Sequence, residues 1–357
     1  MNELIRAVIS GTALRSNLRT LRRRASGARV MAVIKANAYG HGLVPTALAL
    51  PEADAFAVAR LGEALALREA GVVQPIVLLE GVFDAAQLAI AARMAFDLVV
   101  HHPDQLALLE QQAARDFVVW LKVDTGMNRL GFRAEDAPLA LARLKALQPA
   151  LREIRLLTHL ASADESDTTM TERQLARFAP LATSARLVTS IANSAGLLAV
   201  PSAHADWVRP GLALYGVSPF ADVAADSFGL VPAMSLETTV IATRRVLEGE
   251  SVGYGATWRA ARDSNVAILA AGYGDGLPRG LPSGTPVEVA GQRAPMVGRV
   301  SMDMIAVDVT DIGDAAVGGR ARLWGPGLPV EALAAAARTI PYELLCAVSQ
   351  RVPLLVS

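Results

Sequence analysis

Between about residues 30 and 216, short and continuously apolar runs alternate with longer amphipathic segments. Continuous apolar runs predict strands buried on both faces, and the amphipathic segments predict helices that cover them. The predicted strands are Val30–Ile34, Ala55–Ala59, Ile76–Leu79, Leu98–Val100, Phe117–Val123, Ile154–Thr158, Leu187–Ile191 and the less regular Trp207–Tyr215. The predicted helices are Leu61–Ala70, Ala85–Met94, Pro103–Ala114, Ala137–Leu147 and Thr171–Thr183.

Eight βα units within about 220 residues favour a (β/α)8 TIM-type barrel over a doubly wound sheet. No GxGxxG fingerprint follows the first strand, which also argues against a dinucleotide-binding fold. From about residue 231 the helical period fades, and short strands alternate with Gly/Pro turns up to one helix at Val330–Arg338. We therefore expect a barrel over 11–230 and an all-β C-terminal domain over 231–357.

The composition and charge of the chain argue against several classes of protein. The 357 residues are 52% hydrophobic and carry a formal net charge of +0, so no basic excess is present to neutralise nucleic-acid phosphates. No apolar run approaches the length of a membrane helix, and the N-terminus lacks the pattern of a signal peptide. The single cysteine, Cys346, is predicted to be a small core residue in a protein of the reducing cytoplasm.

Lysine is rare in this chain. It occurs only at positions 35, 122 and 145, and every other cationic side chain is arginine. A lysine amine can lose its proton near neutral pH and form an imine, which a guanidinium cannot do. Lysines retained in an arginine-rich chain are therefore candidates for amine chemistry.

Polar residues follow five of the predicted barrel strands. Active sites of such barrels lie at the carboxyl ends of the strands, so these side chains are expected to converge on one mouth. The residues at these ends are Lys35, Lys122, Asp124, Arg129, His159, Asn193, Ser194, Arg209, Pro210 and Gly211.

The segment AVIKANAYGHG at 32–42 resembles the cofactor-lysine signature of the alanine racemases. The motifs KVDTGMNRLGF, THLASAD, NSAG, WVRPGLALYG, VGYGATW, GYGDGLPR, VGRVSMDM and PYELLC follow in that family's order. The resemblance implies a barrel followed by a β-strand domain on which residues 1–10 pack. It also implies pyridoxal 5′-phosphate (PLP) held by Lys35 as a Schiff base, and a head-to-tail homodimer with shared active sites.

Racemisation requires a proton to leave one face of the substrate carbon and return on the other, which calls for two bases. Lys35 is the natural first base, because the incoming amino acid displaces it from the cofactor as a free amine. The resemblance makes Tyr254, contributed by the partner subunit, the second base. A tyrosine of ordinary pKa near 10 needs a positive environment, which His159 beside Arg209 provides in this family.

Two arginines and one lysine take further implied roles. Arg209 faces the pyridine nitrogen and keeps it unprotonated, because a guanidinium donates a hydrogen bond without transferring its proton. Arg129 contacts the substrate carboxylate and the cofactor phenolic oxygen. Lys122 is predicted to be carbamylated (N6-carboxylysine), since an unmodified cation beside Arg129 is unfavourable; a solvated or ion-paired lysine is the alternative.

The same resemblance assigns supporting positions around this centre. Phosphate contacts come from hydroxyls and backbone N–H groups at Tyr39, Ser194, Gly211, Leu212 and Tyr342. The partner supplies a rim at Met302 and Asp303, with the Met302 N–H near the substrate carboxylate. The entrance is lined by Asp164, Tyr273, Arg279, Arg299 and Ile340, and Leu277 departs from the aromatic residue that relatives often carry there.

The implied function is interconversion of L- and D-alanine, an isomerase reaction serving peptidoglycan synthesis or alanine catabolism. One alternative is a racemase of broader specificity for small amino acids. Another is a non-catalytic PLP-binding barrel, although such proteins lack the additional 120 residues that carry Tyr254 and Met302 here. No metal site is expected, because His101-His102 has no ligand spacing around it.

Overall fold

The computed structural model describes residues 3–112, 116–148 and 150–357. The first ten strands are β1 Ile5–Ile9, β2 Arg29–Val33, β3 Ala55–Val58, β4 Ile76–Leu78, β5 Phe96–Val100, β6 Val118–Asp124, β7 Phe132–Arg133, β8 Glu153–Leu157, β9 Thr189–Ser190 and β10 Trp207–Val208. The accompanying helices are α1 Gly11–Arg24, α2 Lys35–Tyr39, α3 Leu43–Ala49, α4 Leu61–Glu69, α5 Ala85–Arg93, α6 Pro103–Gln111, α7 Ala137–Ala146, α8 Thr169–Ala185 and α9 Ser194–Ala199.

Parallel pairing closes the barrel. Neighbouring strands run in the order β2, β3, β4, β5, β6, β8, β9 and β10, and β10 pairs again with β2. The residues of β3, β4 and β5 are buried throughout, as expected for strands with the barrel interior on one side and helices on the other. The predicted (β/α)8 barrel is confirmed.

Several predicted boundaries differ from the structure by one or more residues. The Trp207–Tyr215 strand is wrong beyond Val208, because Pro210–Gly211 interrupts it and Leu212–Tyr215 forms a buried 3-10 turn. The predicted helix Pro103–Ala114 ends at Gln111, and its last two residues lie outside the described part of the chain.

The second domain contains a mostly antiparallel sheet and a separate pair of antiparallel strands, Ser251–Val252 and Trp258–Arg259. Its strands are β11 Met234–Val246, β12 Ser251–Val252, β13 Trp258–Arg259, β14 Ser264–Leu269, β15 Pro286–Val289, β16 Gln292–Val297, β17 Ile305–Asp308, β18 Arg320–Trp324 and β19 Leu354–Val356. The predicted helix is present as α10 Val330–Ala337. A second helix, α11 Pro341–Ala347, was missed, although Pro341 at its first position is a usual helix start.

Strand β1 belongs to the sheet of the second domain. It pairs antiparallel with β11, with Ile5 opposite Thr238, and parallel with β19, with Ala7 opposite Leu354. The N-terminal segment thus lies in the β domain, and α1 leads from it into the barrel.

One acidic side chain is buried in the barrel wall. Asp97 on β5 is 7% exposed, and this burial raises the pKa of its carboxyl to about 6, although Arg155 and Arg152 act in the opposite direction. The folded state therefore prefers the protonated carboxyl. The resulting cost is absent below about pH 4, where the unfolded chain is protonated too, and is complete above about pH 7.

We expect Asp97→Asn to raise the free energy of unfolding by about 2 kcal/mol at pH 8 and to change it little at pH 4. Urea unfolding at the two pH values measures this difference. The exposed Asp222 offers a matched control, since Asp222→Asn should leave stability unchanged at both. A gain that is equal at pH 4 and pH 8 contradicts the assignment.

Candidate active site

A cavity of about 460 Å³ opens at the carboxyl ends of the barrel strands. Its volume falls within the range of small-molecule sites. Eleven of the residues selected from the sequence line it: Lys35, Tyr39, Lys122, Arg129, His159, Asn193, Ser194, Arg209, Gly211, Leu212 and Tyr342.

The chain makes a left-handed turn immediately after Lys35. The four residues Ala36–Tyr39 have φ values between 52° and 54°. This conformation costs about 1–2 kcal/mol for each residue with a side chain. Such strain persists only where the surroundings enforce it, and it concentrates at functional sites.

The Glu63 carboxylate is one of the groups that hold this turn. Its Oε1 accepts the N–H of Ala36 at 2.7 Å, and its Oε2 accepts the N–H groups of Ala59 and Arg60 at 2.9 and 3.0 Å. One side chain therefore joins the start of α4, the end of β3 and the residue that follows Lys35. Glu63 was not selected from the sequence.

His41 holds the other end of the turn. Its Nδ1 lies 3.1 Å from the carbonyl of Ala38 and 2.9 Å from that of Tyr39. Because both partners are carbonyl oxygens, Nδ1 carries the proton. Complete burial lowers the pKa of His41 to about 4, so the ring is neutral at pH 7.

We expect Glu63→Ala to lower the free energy of unfolding by about 2 kcal/mol, because three backbone donors lose a charged acceptor. Urea unfolding of the whole chain measures the change. Glu69→Ala, at an exposed position on the same helix, should leave the stability near that of the unsubstituted chain. Equal stabilities of the two variants would show that Glu63 does not hold the turn.

Cations dominate the electrostatics of the cavity. Burial, and then the charge of Arg129, lower the pKa of Lys35. Burial and the neighbouring Arg129 and Arg209 lower the pKa of Lys122 to about 8. Both amines therefore reach their neutral, nucleophilic form more readily than an exposed lysine does.

Arg209 is held rigidly at the cavity floor. Its Nη2 donates to the carbonyls of Thr158 at 2.6 Å and Ile191 at 3.0 Å, and its Nη1 donates to the Ser190 hydroxyl. The same Nη2 lies 3.3 Å from Nδ1 of His159. Burial, and then the charge of Arg209, lower the pKa of His159 well below its usual range, so this imidazole is neutral and accepts from the arginine.

The same cavity is also lined by a polar cradle around Ser194 and Gly211. The Ser194 hydroxyl accepts the N–H groups of Gly211 at 2.9 Å and Ala213 at 3.2 Å. A Cβ atom on Gly211 would lie 2.4 Å from the Tyr39 hydroxyl, so only glycine leaves that space open. The rings of Tyr39 and Tyr342 are 5.8 Å apart at the centroids.

The remaining selected residues do not line this cavity. Four of them are exposed and belong to the second domain or the segment before α11: Tyr254, Tyr273, Met302 and Ile340. Arg299 lies beside the Tyr254 turn, since its Nη1 would be 3.2 Å from a Cβ atom on Gly255. Asp303 pairs with Arg351 at 2.8 Å.

The last two entrance candidates, Asp164 and Arg279, are also exposed. Asp164 is near enough to Tyr342 to contribute, after burial, to the rise of its pKa to about 12. Leu277 is buried in the core rather than exposed at an entrance, so the departure from an aromatic residue changes packing beneath the loop.

Besides Glu63, which supports the turn, two residues that line the cavity were not identified from the sequence as part of the site: Glu80 and Cys346. Glu80 follows the end of β4 and lines the cavity, and the strand-end rule applied to the other strands would have found it. The prediction that Cys346 is a core residue is wrong. It is exposed and borders the cavity, because α11 turns this thiol away from its buried Leu344 and Leu345.

Comparison with known proteins decides the family. Residues 9–219 match the family model described as "Alanine racemase, N-terminal domain", and residues 233–356 match that of the C-terminal domain. The chain belongs to the alanine racemase family. The alanine racemase of Nitrosospira multiformis is 49% identical over 353 residues, 98% of this chain and 99% of that one.

Two further alanine racemases match this chain over nearly its full length. The alanine racemase of Nitrosococcus oceani is 50% identical, covering 97% of this chain and 98% of its own. The crystal structure of the biosynthetic alanine racemase from Pseudomonas aeruginosa superposes with a TM-score of 0.95 at 45% identity, covering 99% of each chain.

Within the described ranges of this family member, no helix is long and apolar enough to cross a membrane. Those ranges also contain no group of three or more His, Cys, Asp or Glu residues arranged to hold a metal ion.

Proposed function

We propose that this chain is a PLP-dependent racemase that interconverts L- and D-alanine in the cytoplasm as a head-to-tail homodimer. The observation that carries the proposal is the Lys35 amine, whose pKa is lowered by burial and Arg129, in the wall of a cavity also lined by Arg209. An amine that reaches its neutral form can both attach a carbonyl cofactor and accept a substrate proton.

The residues of the cavity fit PLP. Lys35 offers the attaching amine, and the hydroxyls of Tyr39, Ser194 and Tyr342 with the backbone at Gly211 suit a phosphate. The missing Cβ at Gly211 keeps the phosphate end open, since any larger residue would meet the Tyr39 hydroxyl. When bound, PLP supplies the electron sink that makes the substrate α-proton removable.

Arg209 orients the ring of the cofactor. Burial lowers the pKa of its guanidinium to about 9, which leaves it charged at neutral pH. Its contacts with Thr158, Ile191 and Ser190 hold it against rotation, so it donates a hydrogen bond while keeping its own proton. A ring nitrogen held in this way would stay unprotonated, which would make the bound cofactor a weaker electron sink and would disfavour side reactions.

The second base comes from the partner subunit. The two tyrosines that line the cavity, Tyr39 and Tyr342, have pKa values raised by burial and face the phosphate end, so neither is a suitable base. Tyr254 is 67% exposed in a single chain and is free to enter a partner's cavity. Head-to-tail packing would place it opposite Lys35, near the neutral His159 and the positive charge of Arg209.

Lys122 carries a carbamate in this proposal. Its ammonium group first loses one proton, and the neutral amine then attacks CO2. A nitrogen–carbon bond forms, one C=O π bond becomes the carboxylate, and a second proton leaves the nitrogen, which in total converts a cation into an anion beside Arg129. With a pKa of about 8, roughly a tenth of this amine is neutral at pH 7, far more than for an exposed lysine. The anion then orients Arg129 toward the substrate carboxylate.

We expect the protein equilibrated with ¹³C-bicarbonate to show a carbamate carbon signal by NMR that is absent from Lys122→Arg. This variant keeps the positive charge but forms no carbamate, and its KM for alanine should rise about tenfold. The signal should weaken as the pH falls below about 8, because the amine becomes protonated. Lys145→Arg, at an exposed position, should keep both the signal and KM, and a signal that survives in Lys122→Arg refutes the modification.

Racemisation assays with both enantiomers of alanine and serine test the proposed function directly. We expect kcat/KM to be highest for alanine, with activity in both directions. Comparable values for serine would point to the broader-specificity racemase. The absence of activity on alanine with PLP bound would favour the non-catalytic alternative.

A further inference from the structure

Two loops of the second domain are joined beside the exposed Met302. We call residues 301–304 the rim turn and residues 272–276 the glycine loop. The N–H of Tyr273 donates to the Ser301 carbonyl at 3.0 Å, and the N–H of Gly274 donates to the Met302 carbonyl at 2.9 Å. Two successive carbonyls of the rim turn are therefore tied to the glycine loop.

The approach of these backbones depends on glycine. A Cβ atom on Gly272 would lie 2.3 Å from the Met302 carbonyl oxygen, and one on Gly276 would lie 2.3 Å from that of Ala347. Real Cβ atoms do not come so close to backbone oxygens. The first and last glycines of GYGDG, Gly272 and Gly276, are thus explained by contact with the rim turn on one side and the end of α11 on the other.

The Arg351 guanidinium contacts both the rim turn and the glycine loop and holds them together. Its Nε donates to Asp275 at 2.8 Å, its Nη1 lies 2.8 Å from Asp303, and its Nη2 donates to the Met302 carbonyl at 3.4 Å. Asp275 is buried, and its second oxygen accepts the N–H of Gly272 at 2.8 Å. Arg351 therefore links the side chain of one rim-turn residue and the carbonyl of another to a rigid buried anion.

The geometry of the peptide bond between Ser301 and Met302 sets the direction in which the Met302 N–H points. In a trans peptide, the C=O and N–H groups point opposite ways. Because the Ser301 carbonyl points at Tyr273, the Met302 N–H points away from the glycine loop. This is the donor that the sequence resemblance places near the substrate carboxylate.

We propose that Arg351 is a positioning residue for the substrate: it holds the rim turn so that the Met302 N–H binds the amino-acid carboxylate in the partner subunit's cavity. The proposal rests on the proposed function, because it requires an amino-acid substrate and a shared site. Arg351 itself touches neither substrate nor cofactor. Its loss weakens substrate binding while leaving the proton-transferring groups in place.

We expect Arg351→Gln to raise the KM for alanine about tenfold while kcat falls less than about threefold, which is the pattern of lost ground-state binding. Arg351→Lys should be intermediate, and Asp303→Asn should shift KM in the same direction by less. Arg245→Gln, which removes an exposed ion pair with Asp263 elsewhere in the domain, should leave KM unchanged. An unchanged KM in Arg351→Gln, or a fall in kcat alone, overturns the proposal.

Heterodimers of two different variants show whether Arg351 acts on its own subunit's cavity or on the partner's. In a heterodimer of Lys35→Ala and Arg351→Gln subunits, the one site with a lysine receives its rim turn from the subunit with an intact Arg351. We expect this heterodimer to show an unaltered KM and about half the activity per dimer. A raised KM would place the action of Arg351 in its own subunit's cavity and overturn the proposal.

Sedimentation completes the test. Arg351→Gln should sediment as the unsubstituted chain does at the assay concentration and should melt within a few degrees of it. Dissociation of this variant alone would mean that Arg351 serves assembly instead of substrate positioning. Failure of the proposed function itself is distinguishable, because the unsubstituted chain would then lack alanine racemisation altogether.

Discussion

Replacing Lys35 by alanine should abolish racemisation, with kcat reduced by about 10⁴-fold or more. The substitution removes both the amine that attaches the cofactor and the proton carrier on one face of the substrate. Lys35→Arg should be equally inactive, because a guanidinium neither forms the bond nor gives up its proton near neutral pH. Steady-state assays in both directions measure the loss.

The rarity of lysine makes the control simple. Lys145 is exposed on α7, and Lys145→Ala should retain full activity. Borohydride treatment of the unsubstituted chain followed by peptide mass analysis should place the cofactor on the peptide that contains Lys35. An unmodified Lys35 peptide, or substantial activity in Lys35→Ala, would defeat the central assignment.

Tyr254→Phe should make proton exchange selective for one enantiomer. The phenyl ring fills the same space but carries no hydroxyl, so only the face served by Tyr254 loses its proton carrier. In D2O, we expect α-hydrogen exchange from one enantiomer of alanine to slow by about 10²–10⁴-fold, while the other enantiomer still exchanges at Lys35. NMR of each pure enantiomer measures the two rates separately.

Subunit mixing provides the matched test for Tyr254. A heterodimer of Tyr254→Phe and Lys35→Ala subunits has one site with both intact groups if the tyrosine comes from the partner. Racemisation should then return to about half the normal activity per dimer, although each parent homodimer is nearly inactive. Equal losses from both enantiomers would argue against two separate bases, and a heterodimer as inactive as its parents would argue against a shared site.

The barrel and most of the cavity could be predicted because their signals are local. A continuously apolar strand such as β4 is recognisable in itself, and the residue after each strand must lie at the barrel mouth. Lys35, His159 and Arg209 were found in this way. Glu80 obeys the same rule, since it follows the end of β4 and lines the cavity.

What the sequence did not reveal depends on contacts between distant segments. Glu63 reads as an ordinary first-turn glutamate of a helix, and nothing local shows that it accepts the N–H of Ala36, 27 positions away. The left-handed turn at Ala36–Tyr39 contains no glycine, so residue type gives no sign of it. Arg351 lies 76 positions from Asp275, and only the folded chain brings the two together.

The pairing of β1 has a consequence for the order in which this protein is assembled during synthesis. Ile5–Ile9 leaves the ribosome before both of its neighbours in the sheet, since its antiparallel neighbour is Met234–Val246 and its parallel neighbour is Leu354–Val356. The complete barrel is therefore translated before either edge of this strand can form its native pairing. Unpaired strand edges promote aggregation, so the nascent chain is most vulnerable in the interval before β11 emerges.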